Sequence, residues 1–532
     1  MISVQGSKLI VRVRRRKHPM NLTFIAGRGL KIGMACGIFW AMGLMVGIAA
    51  PEVTSENNPQ VKAYFQQHPE ADSNHDGILT ADEARDYYGK SLGQNPGSPA
   101  PAKPATRQAV DPAAPAAATI SANREAVPAG AEPPYTAYLH NPEGYEWKLK
   151  AKTTGPTGNP VYVLNLTSQI WHGATWTHQP QVFLPKTNIA PDLALVYVET
   201  IRMDATGLAQ MAQIADELGI TCVLTDGIYQ ACFGVPAREG MIAYATRQYL
   251  KTGDPTWIPS VPAAKSLIRT MDAVEEFSGK ELGTPIHRFI LTGHSKMGMA
   301  SWTTSASDPR VKGVIPMGAD MLNLKANKKL LGAFEAVVGS LDSDADREFI
   351  TLFDPLTYRQ KLTAAKLVIT GANDATCDPN AINSCWENIP DPKWHLYLEN
   401  ANHGQEVQNP KSMQGICAFT RAIALKKELP KISWKFTEAG GKLKVEVTTS
   451  VPPKSVLLWS APGPFDVWSV AGSFASTLHW TSLPMKEETG GTTFSGELVK
   501  PPTGVAAYAE LEFGQEGVFK SYVLTTALQV MP

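Results

Sequence analysis

Phe289-Ile290-Leu291-Thr292-Gly293-His294-Ser295-Lys296-Met297-Gly298 is a short apolar run that breaks at a glycine and sets a serine at the turn. It reads as a strand, a sharp turn and the start of a helix. This is the nucleophile elbow, on which an α/β-hydrolase exposes a serine Oγ above its sheet. In that geometry the N–H of Lys296 points into the oxyanion site, and a second donor is expected after the apolar run Leu193–Val198, near Thr200 or Ile201. The second glycine, Gly298, stands one place later than G-x-S-x-G demands. A serine in this position needs a base and an acid. Asp374 follows the apolar run Leu367-Val368-Ile369, and His403 follows Leu396-Tyr397-Leu398. Ser, Asp, His is the chain order of that fold.

Rivals exist for the acid and the base. Asp378 lies four residues beyond Asp374, which is favoured because it follows its strand more closely. His395 falls inside an apolar strand and reads as packed there, whereas His403, beside Gly404, is free to reach the serine. His294 reads as a wall residue, and the Lys296 side chain as one that leaves the site.

The full sequence of 532 residues implies two or three domains. With 49 basic and 49 acidic residues, bulk charge points neither to nucleic acid nor to an anionic membrane surface as the main partner. The N-terminus carries the basic run Arg12-Val13-Arg14-Arg15-Arg16-Lys17, then an apolar segment from Ile32 to Ala50. That predicts an export signal over residues 1–50, cleaved near Pro51 or kept as a membrane anchor, with the remainder periplasmic or extracellular. An oxidising compartment permits disulfides, and Cys377 with Cys385 is the best candidate pair. Cys222, mid-strand, reads as a small buried hydrophobe.

Residues 51–91 read as a calcium module. Asp72-Ser73-Asn74-His75-Asp76-Gly77-Ile78-Leu79-Thr80-Ala81-Asp82-Glu83 fills every diagnostic place of an EF-hand loop. Asp72, Asn74, Asp76, Thr80 and Glu83 supply side-chain oxygens, Ile78 its carbonyl, and Gly77 the sharp turn. The competing reading is a polar turn that binds nothing. A lone hand of this kind suits a structural or weak extracellular Ca²⁺ site, and the triad itself needs no cofactor.

Residues 92–134, rich in Pro and Ala, form a semi-rigid linker. From 135 to 430, apolar strands alternate with amphipathic helices, such as Leu208–Leu218 ending at Gly219 and a helix over 265–278. This predicts an α/β-hydrolase-like, mostly parallel sheet with the candidate site at its carboxyl edge. Residues 431–532 switch to short alternating runs separated by Gly and Pro turns. They predict a β-sandwich with no obvious catalytic grouping.

Several stretches resemble the PhoPQ-activated pathogenicity-related family, whose eukaryotic relatives include the autocrine proliferation repressor proteins. The family pattern G-A-S-K-R-G-W appears here as Gly293-His294-Ser295-Lys296-Met297-Gly298-Met299. Tyr145-Glu146-Trp147-Lys148, Val163–Gln169 with Trp171, Met271-Asp272-Ala273, Asp308 with Arg310-Val311, Asp354-Pro355, Asn402-His403 and Pro501-Pro502-Thr503-Gly504 also match. The resemblance covers nearly all of 135–532 and implies an exported hydrolase-like protein with an appended sandwich. Met297 and Met299 replace the family's arginine and tryptophan, and Arg238-Glu239-Gly240 departs from R-x-E-D, so specificity at the pocket mouth is expected to differ. The readings are therefore a calcium-binding serine hydrolase acting on ester or peptide bonds, or a non-enzymatic binding or signalling protein on the same scaffold.

Overall fold

The chain forms two units, Met1–Ile120 and Ser121–Pro532, in the computed structural model. The structure describes residues 132–532 apart from 202, 320, 339, 342, 375, 464–477, 516–518 and 532, together with 2–5, 8–14, 19–25, 72–73 and 77–78. In the first unit β1 (Ile2–Gln5), β2 (Lys8–Arg14) and β3 (Pro19–Ile25) pair antiparallel. The basic run thus begins on a strand, while the apolar segment 32–50 lies outside the described residues. Among the described residues no helix is long and apolar enough to cross a membrane.

The second unit opens with helix α1 (Thr136–His140) and the antiparallel strands β4 (Glu146–Thr154), β5 (Pro160–Trp171), β6 (Ala174–His178) and β7 (Gln181–Phe183). The βαβ part follows. It comprises β8 (Leu193–Val198), α2 (Ala205–Leu218), β9 (Thr221–Thr225), α3 (Glu239–Thr252), α4 (Ser260–Phe277), β10 (Arg288–His294), α5 (Lys296–Ser307) and β11 (Val311–Met317). After these come α6 (Lys328–Val338), α7 (Asp344–Phe353), β12 (Ala365–Gly371), β13 (Lys393–Leu398) and α8 (Pro410–Leu425). The spatial order β7-β9-β8-β10-β11-β12-β13 has β8 to β13 parallel and a crossover between β8 and β9. This is an α/β-hydrolase fold.

Burial explains why these runs are strands. Every residue of β8 is buried, as expected for a parallel strand covered on both faces. Ala194, Val196 and Val198 enter one core cluster, and Leu193, Leu195 and Tyr197 the other. Burying each of these valine and leucine side chains contributes about 1.5–3 kcal/mol. The helices are pinned locally. The Asp204 side chain caps α2 by accepting the Gly207 N–H at 3.0 Å. Beyond the end of α5, Arg310 donates to Asp308 and Asp272 at 2.7 Å each and to Glu275 at 2.8 Å, which ties that end to α4.

The last hundred residues supply β14 (Ile432–Ala439), β15 (Lys442–Thr449), β16 (Ser455–Pro462), β17 (Thr481–Pro484), β18 (Lys486–Thr489), β19 (Thr493–Val499), β20 (Val505–Gln515), β21 (Phe519–Thr525) and β22 (Gln529–Met531). One sheet is β14-β15-β19-β18. The other, β17-β16-β20-β21, continues into the hydrolase sheet where Thr525 pairs with His395 of β13. Val445, Leu458 and Phe494 share a core cluster with Leu195 and Ile290. The expected sandwich is present, fused to the hydrolase-fold body through a shared sheet and core.

The expected Cys377–Cys385 bridge does not form. Both cysteines are buried thiols, and the Cys385 Sγ donates to the Ile382 carbonyl at 3.4 Å within a short 3₁₀ turn. Cys222 is fully buried in β9.

Candidate active site

Ser295 sits between the last residue of β10 and the first of α5 with φ 55° and ψ −125°. A left-handed φ on a non-glycine residue costs on the order of 1–3 kcal/mol and persists only where its surroundings impose it. Here the Ser295 N–H donates to the Met317 carbonyl at 2.8 Å, and Gly293 is hemmed in. A Cβ on Gly293 would lie 2.7 Å from the Met297 carbonyl group, and one on Gly298 would lie 2.3 Å from the Ala319 Cβ. The late second glycine therefore has its own purpose: at position 298 it lets α5 press against the loop after β11.

Strand ends bring the acid and base to this turn. His403 Nε2 is 3.1 Å from Ser295 Oγ, and His403 Nδ1 is 2.8 Å from Asp374 Oδ2. The other Asp374 oxygen accepts the N–H groups of Thr376 and Cys377 at 2.7 and 2.8 Å, so the buried carboxylate is fixed from both sides. Asp378 instead accepts the Asn380 N–H at 2.9 Å in its own turn. His395 is buried in β13 and stacked on Trp386, with ring centroids 3.5 Å apart.

Burial opposes charge on His403, but the hydrogen bond to Asp374 and the charges of Asp374 and Glu406 outweigh it and hold its pKa above the usual histidine value. The Lys296 ammonium works the other way. Its side chain leaves the serine, as expected, and pairs with Glu239 at 2.6 Å.

The N–H groups of Lys296 and Met297 open α5 and have no carbonyl one helical turn behind them, which leaves them available to an anion. Register places Val198 beside Gly293, so the loop that holds Thr200 and the buried Ile201 starts next to the elbow. The Glu199 N–H is already committed to the Thr225 carbonyl at 3.0 Å.

Two contributors escaped the sequence reading. Glu406, three residues past His403, is wholly buried beside the triad. His294, expected as a plain wall residue, lies with its ring 4.6 Å from the His403 ring and its Nε2 3.5 Å from Glu406. The other contributor is Trp480, from the region expected to carry no catalytic grouping. Its indole N–H donates to the side chain of Asn373 at 2.7 Å and its backbone N–H to that of Asn400 at 2.9 Å. Asn373 precedes the acid, and Asn400 opens the loop of the base. An open cavity of about 660 Å³ lies alongside, bordered by His294, Asn400, Gly404, Gln405 and Asn409.

A family profile described as PhoPQ-activated pathogenicity-related protein matches residues 135–466. The chain belongs to this family. It is 25% identical over 366 residues to autocrine proliferation repressor protein A of Dictyostelium discoideum, covering 62% of this chain and 74% of that one. Among solved structures it is similar to an acetyl xylan esterase from Paenibacillus sp. R4, at 15% identity and TM-score 0.43, covering 54% of this chain and 92% of the other. It is also similar to an S-formylglutathione hydrolase from Agrobacterium tumefaciens, at 14% identity and TM-score 0.38, covering 53% and 99%.

In the first unit, Asp72 is buried and one of its carboxylate oxygens accepts the Gly77 N–H at 2.9 Å, with Gly77 at φ +81°. The other oxygen, also buried, has no hydrogen-bond partner among the described residues. Ile78 is described, whereas Asn74, Asp76, Thr80 and Glu83 lie outside the described residues. A buried carboxylate oxygen with no partner among the described residues fits a hard divalent cation.

Proposed function

We propose that this chain is a serine hydrolase of the esterase or peptidase type that works through an acyl-enzyme. The observation that carries the reading is His403, bonded on one nitrogen to Ser295 and on the other to Asp374. His403 takes the Ser295 proton as Oγ attacks the substrate carbonyl, and Asp374 holds the imidazole tautomer and stabilises the imidazolium. The tetrahedral oxyanion is received by the Lys296 N–H and a second amide at Thr200 or Ile201. His403 then protonates the leaving group, and water, deprotonated by the same imidazole, releases the acyl group. A fluorophosphonate applied to the full chain is expected to label the wild type and not Ser295→Ala. A folded wild type that takes no label would overturn the reading.

We also propose a Ca²⁺ site in which Asp72, Asn74, Asp76, Thr80 and Glu83 give side-chain oxygens and Ile78 its carbonyl. The Asp72 oxygen that has no partner among the described residues and the left-handed Gly77 support it. Added Ca²⁺ should raise the thermal midpoint of the wild type and leave that of Glu83→Ala unmoved. An equal response in both proteins, or none in either, would leave only a polar turn.

A further inference from the structure

Glu406 is a carboxylate with no exposed surface, and an isolated buried charge is costly unless the fold uses it. Its contacts show where it is used. One oxygen accepts the Gly371 N–H at 3.1 Å, and the other accepts the Gly404 N–H at 2.7 Å and lies 3.5 Å from His294 Nε2. Each of these groups is coupled to a different member of the triad. Gly371 ends β12, and its carbonyl accepts the Asp374 N–H at 3.0 Å. Gly404 follows His403, and His294 precedes Ser295.

Space for the carboxylate is also reserved. A Cβ on either Gly371 or Gly318 would lie 3.1 Å from Glu406 Oε1, and one on Gly318 would lie 2.9 Å from His294 Nε2. The charge therefore sits in a slot beneath the ends of β10, β11 and β12. From there it faces the same imidazole that Asp374 faces.

Building on the hydrolase reading, we propose that Glu406 is the positioning residue of this site: one buried carboxylate fastens the elbow, the acid loop and the base loop together and favours the His403 imidazolium. Burial alone would push the Glu406 carboxyl up. The His294 ring, a backbone N–H and His403 more than offset this and keep it below the usual glutamate value, so it stays ionised through neutral pH. The charged and titratable groups facing His403 are then Asp374, Glu406, His294 and Lys296. The two carboxylates raise its pKa and Lys296 lowers it.

The test uses the full chain and two readouts, the pH dependence of fluorophosphonate labelling and the titration of the His403 ring by NMR. In Glu406→Gln both midpoints should fall by about one pH unit, and labelling at high pH should slow about tenfold. Glu406→Asp, which keeps the charge and shortens the reach, should slow labelling while leaving the midpoints in place. Unmoved midpoints in Glu406→Gln overturn the proposal. Should that variant not fold, full-rate labelling by Glu406→Asp overturns it. A wild type that never labels overturns the hydrolase reading instead, and the ring titration then decides the role of Glu406 alone.

Discussion

In the proposed reaction His403 makes the sharpest demand on the chemistry, because it must be neutral to accept the serine proton and charged a moment later. Burial and Lys296 oppose the charged form, but the carboxylates outweigh them and the fold leans toward it. The sign of the pH dependence follows. As pH falls through the raised pKa, His403 is protonated and can no longer act as base, so labelling of Ser295 should begin to fail at a pH above the ordinary value of 6.5. Asp374→Asn should move that midpoint down and slow labelling by about 10⁴-fold, read from the rate on the high-pH plateau. A midpoint at or below 6.5 in the wild type would contradict the geometry. Ser295, Asp374 and His403 were legible because each follows an apolar strand and their chain order is that of one fold. Glu406 was not. In Gly404-Gln405-Glu406-Val407 it looks like any exposed loop acid, and only the folded loop turns it inward.

At the scale of the element, the serine turn depends on how closely α5 can approach its neighbours. Met297 occupies the usual glycine position and is buried, while Gly298 carries the close contact with Ala319. Gly298→Ala should therefore cost about 1–3 kcal/mol, measured by urea unfolding, since the added methyl meets a Cβ next to fixed backbone. An unchanged midpoint would mean that the loop after β11 can retreat. The strands were legible wherever burial on both faces made the apolar run continuous: Leu193–Val198 has the bounds expected of it. Helix starts were less so. The helix expected from Leu208 begins at Ala205, behind an Asp204 cap, and the one expected from Lys265 begins at Ser260, where Pro262 in the first turn costs no hydrogen bond.

Across the whole second unit, the boundary expected near Pro430 marks a change of strand pattern rather than a break between bodies. The alternating runs after it correctly signalled two-faced sheets. Nothing in them could reveal that β21 would pair with β13, because a single register contact between Thr525 and His395 leaves no periodic trace. Nor could a tryptophan at 480 announce its partners at 373 and 400, which lie 107 and 80 residues before it in the chain.

That tryptophan gives the molecule an order in time. Synthesis runs from the N-terminus, so the serine, the acid and the base have all been made before the residues that hold their loops. A chain that stops short of Leu478 owns the whole triad yet lacks the bonds from Asn373 to the Leu478 carbonyl at 2.9 Å and to the Trp480 indole, and those between Asn400 and Trp480. The loops that carry Asp374 and His403 therefore gain these bonds only once synthesis has passed Trp480.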